Sequence, residues 1–126
     1  MRRYEFTGSS CPITIGRGES NDISLPADKV SEQHAEIRYE DNFVIYDKDS
    51  LNGTFVRSKA KGLEKISKKK LEDGDLIHIG LSGYVLRAKI EGDSLLLDEI
   101  KIPSALETSD FADGRTRKKT SRWYED

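Results

Sequence analysis

Ala35-Glu36-Ile37-Arg38-Tyr39 is followed by Glu40-Asp41-Asn42 and then by Phe43-Val44-Ile45-Tyr46. The first five residues alternate, with Ala35, Ile37 and Tyr39 on one side of an extended chain and Glu36 and Arg38 on the other. Three residues of strong turn preference then reverse the chain into a second apolar run, which predicts an antiparallel hairpin. The pattern continues outward. Toward the N terminus, Ile13–Ile15 stops at Gly16 and Arg2–Phe6 stops at Gly8-Ser9-Ser10. Toward the C terminus, Thr54-Phe55-Val56 follows Asn52-Gly53, and Leu76–Ile79 follows Asp73-Gly74. In Tyr84–Ile90, Tyr84, Leu86, Ala88 and Ile90 oppose Val85, Arg87 and Lys89. Short alternating runs with turns every about 8–12 residues predict an all-β antiparallel sandwich or barrel. Before Gly92 there is no amphipathic helical pattern, and the chain has no internal repeat.

The 126 residues suffice for one domain with a real core. Hydrophobic and charged residues each make up 35%, so the expectation is a modest core plus a solvated segment. Arg2 and Arg3 follow Met1 without an apolar run behind them, so no signal peptide is read. No stretch approaches the roughly 18 apolar residues of a membrane span. Cys11 stands alone, which excludes an intrachain disulfide and a cysteine-based zinc site and fits a reducing intracellular compartment, cytoplasmic or nuclear. A net charge of −2 offers no global attraction to nucleic acid or membrane.

After Gly92 the signals change. Leu95-Leu96-Leu97 with Ile100 and Ile102 has the character of a further strand or of a segment packed on the sandwich, and Pro103 interrupts it. Ser104 and Glu107 have capping-box spacing, but the residues that follow are poor helix formers. Charges are sorted into blocks, with Glu107, Asp110 and Asp113 before Arg115, Arg117, Lys118, Lys119 and Arg122. The predicted organisation is a domain over residues 1–92 and a C-terminal extension over residues 93–126, a partly disordered tail.

Three loop segments carry the functional chemistry. Gly16-Arg17 ends one strand, Ser31-Glu32-Gln33-His34 enters another, and Asn52-Gly53-Thr54 joins two more. Strand-end loops are where a sandwich gathers its binding groups. Arg17 offers a planar fork for an anion, Ser31 a hydroxyl donor, and Asn52 a donor and an acceptor suited to a peptide backbone. An arginine with neutral donors suits a phosphorylated side chain of about −1.5 to −2 charge.

Five motifs in order cover residues 13 to about 90: Ile13-Thr14-Ile15-Gly16-Arg17, Asn21-Asp22-Ile23-Ser24-Leu25, Val30-Ser31-Glu32-Gln33-His34-Ala35-Glu36-Ile37, Asp47–Val56 with Ser50-Leu51-Asn52-Gly53-Thr54 at its centre, and Leu71–Gly80. In order and spacing they resemble a forkhead-associated (FHA) domain. That resemblance implies an eleven-stranded sandwich of two sheets that binds a phosphothreonine peptide through loops at one end and catalyses nothing. It implies that Arg17 contacts the phosphate, that Ser31 hydrogen-bonds it, and that Asn52 holds the ligand main chain. It gives Gly16 and Gly53 the role of turn glycines and makes His34 a brace behind the loops. Lys29 matches a position that in some relatives reads the ligand residue three after the phosphothreonine, where a lysine favours Asp or Glu. Two positions depart from the pattern. Glu32 stands where relatives often have Arg, Lys or Asn, and a carboxylate there repels phosphate by about 1 kcal/mol when screened, unless it turns away to pair with a neighbouring cation. Leu51 stands where relatives often have Ser, Thr or Lys and cannot add a phosphate contact.

Competing readings carry less. Ser31 and His34 as nucleophile and base are three residues apart entering a strand and point to opposite faces. His34 and His78 are read as structural, and two histidines without clustered carboxylates make no metal site. Gly16-Arg17-Gly18 lacks the spacing of nucleotide-binding loops, and no cofactor is expected. Lys65, Lys68, Lys69 and Lys70 read as a solvated loop. The basic tail ending in Trp123-Tyr124 is read as solvated, with nucleic-acid contact as a minor alternative. Thr108, Thr116 and Thr120 offer a route to self-association if phosphorylated. The principal rival to phosphothreonine binding is an FHA-like sandwich that binds protein partners independently of phosphorylation.

Overall fold

The computed structural model describes residues 2–101. The central hairpin forms as the alternation predicts. Strand β4 (Ala35–Tyr39) pairs with β5 (Phe43–Asp47) in a register that sets Ile37 opposite Ile45 and Tyr39 opposite Phe43. Between them Asp41 adopts φ 69°, the left-handed conformation that Asp tolerates, and the Glu40 N–H donates to the Asn42 carbonyl. Ile37, Phe43 and Ile45 are almost wholly buried. On the opposite face the Arg38 guanidinium lies 4.2 Å from the Tyr46 ring centroid and pairs with Glu36 at 2.6 Å.

This hairpin is the middle of a five-stranded sheet in the order β3-β2-β4-β5-β8, where β2 is Ile13–Gly16, β3 is Ile23–Ser24 and β8 is Lys68–Lys70. A six-stranded sheet covers it. Its strands are β1 (Arg3–Thr7), β6 (Thr54–Ser58), β7 (Gly62–Ile66), β9 (Leu76–Ile79), β10 (Tyr84–Glu91) and β11 (Ser94–Lys101), in the order β1-β11-β10-β9-β6-β7. The core lies between the sheets. Ile13, Ile15, Ile37, Phe43 and Ile45 face Val56, Ile77, Ile79, Leu86, Ala88, Leu95 and Leu97. Each such side chain contributes about 1.5–3 kcal/mol by leaving water. Among the described residues the all-β, two-sheet, eleven-strand expectation holds. One pairing departs from the antiparallel rule: β2 and β3 run parallel, with Ile15 opposite Ile23.

Two boundaries differ from the sequence reading. Residue 92 does not end the sandwich. It is a hairpin glycine at φ 63°, and β11 beyond it sits between β1 and β10 with Leu95 and Leu97 fully buried. Lys65, Lys68, Lys69 and Lys70 lie in β7 and β8, the edge strands of the two sheets, rather than in a loop. Lysines on an edge block pairing with a second chain, so charge here marks a strand as well as a solvated surface. The Ser104–Glu107 capping box, the threonines at 108, 116 and 120 and the basic tail lie outside the described residues. No helix among the described residues is long and apolar enough to cross a membrane.

Candidate functional site

Strand direction brings the loops after β2, β3, β5 and β9 to one end of the sandwich, and backbone hydrogen bonds knit them together. The Arg17 N–H donates to the Ser31 carbonyl at 2.9 Å, and the His34 N–H donates to the Ile15 carbonyl at 2.9 Å. The Gly80 N–H donates to the Gly53 carbonyl at 2.8 Å.

His34 is completely buried at the centre of this frame. Its Nδ1 receives the Ser31 N–H at 3.0 Å, so that nitrogen carries no proton. Its Nε2 lies 2.8 Å from the Gly53 carbonyl, which only accepts, so Nε2 carries the hydrogen and donates it. One neutral imidazole therefore ties the Ser31 loop to the Asn52-Gly53 loop. Burial pushes its pKa below the ordinary range, against the pull of the Gly53 carbonyl and the Asp47 charge. His34 does not bond the Ser31 hydroxyl, and a nucleophile–base pair is not formed. His78, half-buried on β9, also has its pKa pushed down by burial and by the neighbouring Arg57.

The exposed donors rest on this frame. Arg17 Nη1 donates to the Val30 carbonyl at 2.8 Å, which fixes one end of the exposed guanidinium and leaves it further N–H groups to donate. No carboxylate forms an ion pair with it among the described residues. Ser31 Oγ accepts the Leu51 N–H at 3.1 Å and keeps its own hydrogen to donate. Asn52 must present its amide NH₂ to the Lys29 carbonyl, 3.0 Å away, which leaves Oδ1 and one N–H. The structure thus brings Arg17, Ser31, Lys29, Glu32, Leu51 and Asn52 into one loop cluster at one end of the sandwich.

The glycines act through space and through dihedral angle. A Cβ on Gly16 would stand 2.1 Å from the Glu32 carbonyl oxygen, an impossible approach. Gly53 adopts φ 84°, strained for any residue with a side chain. Glu32 does not pair with a cation among the described residues. Its carboxylate sits beside the Arg17-Gly18 turn, where a Cβ on Gly18 would lie 3.4 Å from Oε2. Leu51 is 90% exposed.

Sequence reasoning assigned no role to three other supports. The Asn21 amide donates to the carbonyls of Gly18 and Glu32, each at 2.8 Å, and clamps the Arg17 turn. The Asp47 carboxylate accepts from the Ser50 hydroxyl, the Ser50 N–H and the Thr54 hydroxyl, shaping the turn before Asn52. Its signal was the Asp-x-x-Ser spacing, which favours such a turn. Gly80, at φ 63°, lets its backbone reach the Lys29 carbonyl, from which a Cβ would be only 2.5 Å away. Among the described residues no cluster of His, Cys, Asp and Glu is arranged to hold a metal ion.

The sequence pattern of the FHA domain matches residues 13–80, more than half of the chain. The chain belongs to the FHA domain family. The match contains the loops after β2, β3 and β5 in full and ends at Gly80. This FHA protein is 40% identical over 68 residues to an oxoglutarate dehydrogenase inhibitor of Corynebacterium diphtheriae. That alignment covers 53% of this chain and 44% of the relative, so the chain spans less than half the relative's length. The solved FHA-2 domain of a Mycobacterium tuberculosis ABC transporter is similar at 30% identity and a TM-score of 0.55, over 71% of this chain and 74% of that one. Mycobacterium tuberculosis EmbR, solved in complex with a low affinity phosphopeptide, is similar at 28% identity and a TM-score of 0.50, over 82% of this chain and 25% of that one.

Proposed function

We propose that this FHA domain is an intracellular protein-interaction module that binds phosphothreonine peptides. In this reading Arg17 and the Ser31 hydroxyl hold the phosphate, and Asn52 holds the peptide main chain through its remaining amide groups. Gly16, His34 and Gly53 keep the loops in place, and Lys29 favours an acidic ligand residue three after the phosphothreonine. One observation carries the proposal: Arg17 and Ser31 are each fixed by a protein partner yet retain N–H and O–H groups for a ligand. Pre-positioned donors of this kind suit a dianion, because little side-chain order is lost on binding. The phosphopeptide complex of EmbR supports the same reading by analogy. No reaction, cofactor, membrane contact or nucleic-acid contact forms part of it.

The test is calorimetric titration of a degenerate phosphothreonine peptide pool and its unphosphorylated twin against wild type and Arg17→Ala. Micromolar binding that needs both the phosphate and Arg17 is the expected result. Equal silence of both pools would sink the proposal.

A second reading, binding of protein partners without phosphate, draws on the Glu32 carboxylate beside the Arg17 turn and on Leu51, which is exposed and offers no donor. Equal binding of both pools would favour it. Self-association extends the first reading. β11 ends with Lys101 opposite Tyr84, on the loop side of the sandwich, and Thr108 follows seven residues later, within about 25 Å of extended chain. Kinase-treated protein that self-associates equally well after replacement of Thr108, Thr116 and Thr120 by Ala would exclude this extension.

A further inference from the structure

The outer face of the six-stranded sheet carries a row of cross-strand neighbours. Ile100 stands opposite Val85, Val85 opposite His78, and His78 opposite Phe55. Ile77, Ile79, Val56, Leu86 and Leu97 point into the core, so by alternation the residues of this row point outward. No strand among the described residues lies over that face, because the five-stranded sheet packs on the other side. The middle of the row is nevertheless shut off from water. Val85 is only 2% exposed, and His78 Nε2 is buried with no hydrogen-bond partner among the described residues. Buried polar atoms are nearly always paired, so this nitrogen calls for a group beyond those residues.

Cations frame the row. Arg57 and Arg87 each stand opposite Leu76, Lys65 stands opposite Phe55, and Lys89 follows Arg87 on the same side of β10. All four are exposed, and none forms an ion pair among the described residues. Asp98, on the same face, is already taken by Arg3 at 2.7 Å.

The chain itself supplies the complement. β11 ends at Lys101, one residue past the end of the row. Residues 102–113 then bring Ile102, Leu106 and Phe111 together with Glu107, Asp110 and Asp113, and they contain no lysine or arginine. The row spans three strand spacings, about 14 Å. An extended segment of this length reaches up to about 40 Å, so it can cross the whole row. Its tether also gives it a high effective concentration there.

We infer that residues 102–113 dock across this face of their own chain, with the apolar side chains on the row from Ile100 to Phe55 and the carboxylates against Arg57, Arg87 and Lys65. A backbone group of the docked segment completes the bonding of His78 Nε2. The inference concerns the unphosphorylated chain and is independent of the phosphothreonine reading.

The test places a nitroxide on Ser109→Cys in the full chain, with Cys11→Ser removing the native thiol, and reads paramagnetic broadening of backbone amide signals. The Phe55, His78 and Val85 signals should be lost, while those of Arg38 and Tyr46 on the five-stranded sheet are kept. Arg57→Glu/Arg87→Glu should bring the lost signals back, and so should Leu106→Ser/Phe111→Ser, which leaves the face untouched. A mixture of nitroxide-bearing chain without isotope and isotope-labelled chain without nitroxide should show no broadening. Broadening in that mixture means that the segment comes from a second copy and overturns docking within one chain. Broadening of the single chain that is absent, that is spread evenly over the surface, or that persists in either double variant also overturns it and leaves the face to another protein.

Discussion

His34 Nε2 donates to the carbonyl of Gly53 at 2.8 Å, across 19 residues of sequence. The Gly80 N–H donates to the same carbonyl, so one oxygen joins three loops. With Nδ1 occupied by the Ser31 N–H, both ring nitrogens of the buried imidazole are satisfied. Without the imidazole the Ser31 N–H has no acceptor and the Gly53 carbonyl keeps only the Gly80 N–H, and that cost decides the first prediction.

His34→Ala should lower the unfolding free energy by about 2–4 kcal/mol, because the Ser31 N–H loses its acceptor and the Gly53 carbonyl one of its donors, with a cavity besides. Urea unfolding measures this directly. Phosphopeptide affinity should fall with it, since Ser31 and Asn52 lose their common support.

Acid should loosen the same frame. Burial pushes the His34 pKa below its ordinary 6.5, so on acidification the unfolded chain takes up a proton before the folded one. The stability held by neutral His34 is therefore complete above about pH 6.5 and is lost as pH falls through the folded-state pKa. His78, shifted the same way, adds to the effect. Thermal unfolding of the peptide-free protein between pH 8 and 5 should show a falling midpoint below pH 6.5 and a shallower fall in His34→Ala. Working without peptide keeps the phosphate's own ionisation near pH 6 out of the measurement.

Gly80→Ala should damage the site without touching a ligand group. The new methyl would meet the Lys29 carbonyl at 2.5 Å at a backbone angle of φ 63° that favours glycine. A loss of about 1–3 kcal/mol in stability is expected, with weaker phosphopeptide binding as Lys29 and Asn52 separate. Gly74→Ala is the control. It shares a positive φ, at 92°, but nothing lies within 4 Å of its Cβ, so it should lose stability and keep affinity for peptide at folding temperatures.

A chain ended at residue 92 should fail to fold, because β11 fills the place between β1 and β10. Leu97→Ala in the full chain should cost about 2–5 kcal/mol, as expected for a fully buried leucine. Circular dichroism and urea unfolding of both proteins test this. A folded 92-residue chain would show that β1 can pair with β10 unaided.

Much of the fold could be read from periodicity. Alternation in Ala35–Tyr39, Thr54–Val56 and Tyr84–Ile90 marks strands because apolar positions every second residue can be buried only on a pleated chain. Strands without that signature escaped notice. Lys68-Lys69-Lys70 forms β8 with only Lys69 turned inward, where it meets Asp75 at 3.4 Å. In Gly62–Ile66 the alternation is only half-buried, as fits an edge strand.

The candidate site divides in the same way. Residue chemistry and motif order were enough to single out Arg17, Ser31 and Asn52, since a planar cation, a hydroxyl and an amide at strand ends suit an anionic peptide whatever their exact placement. Side-chain direction was not legible. That the Glu32 carboxylate lies beside Gly18, that Gly80 comes up against Asn52, and that His34 reaches the Gly53 carbonyl depend on contacts between residues roughly 14 to 28 positions apart in sequence. A local pattern records which face of a strand avoids water. It holds no record of which distant carbonyl stands opposite, because only closure of the two sheets over their common core brings those groups within hydrogen-bonding reach.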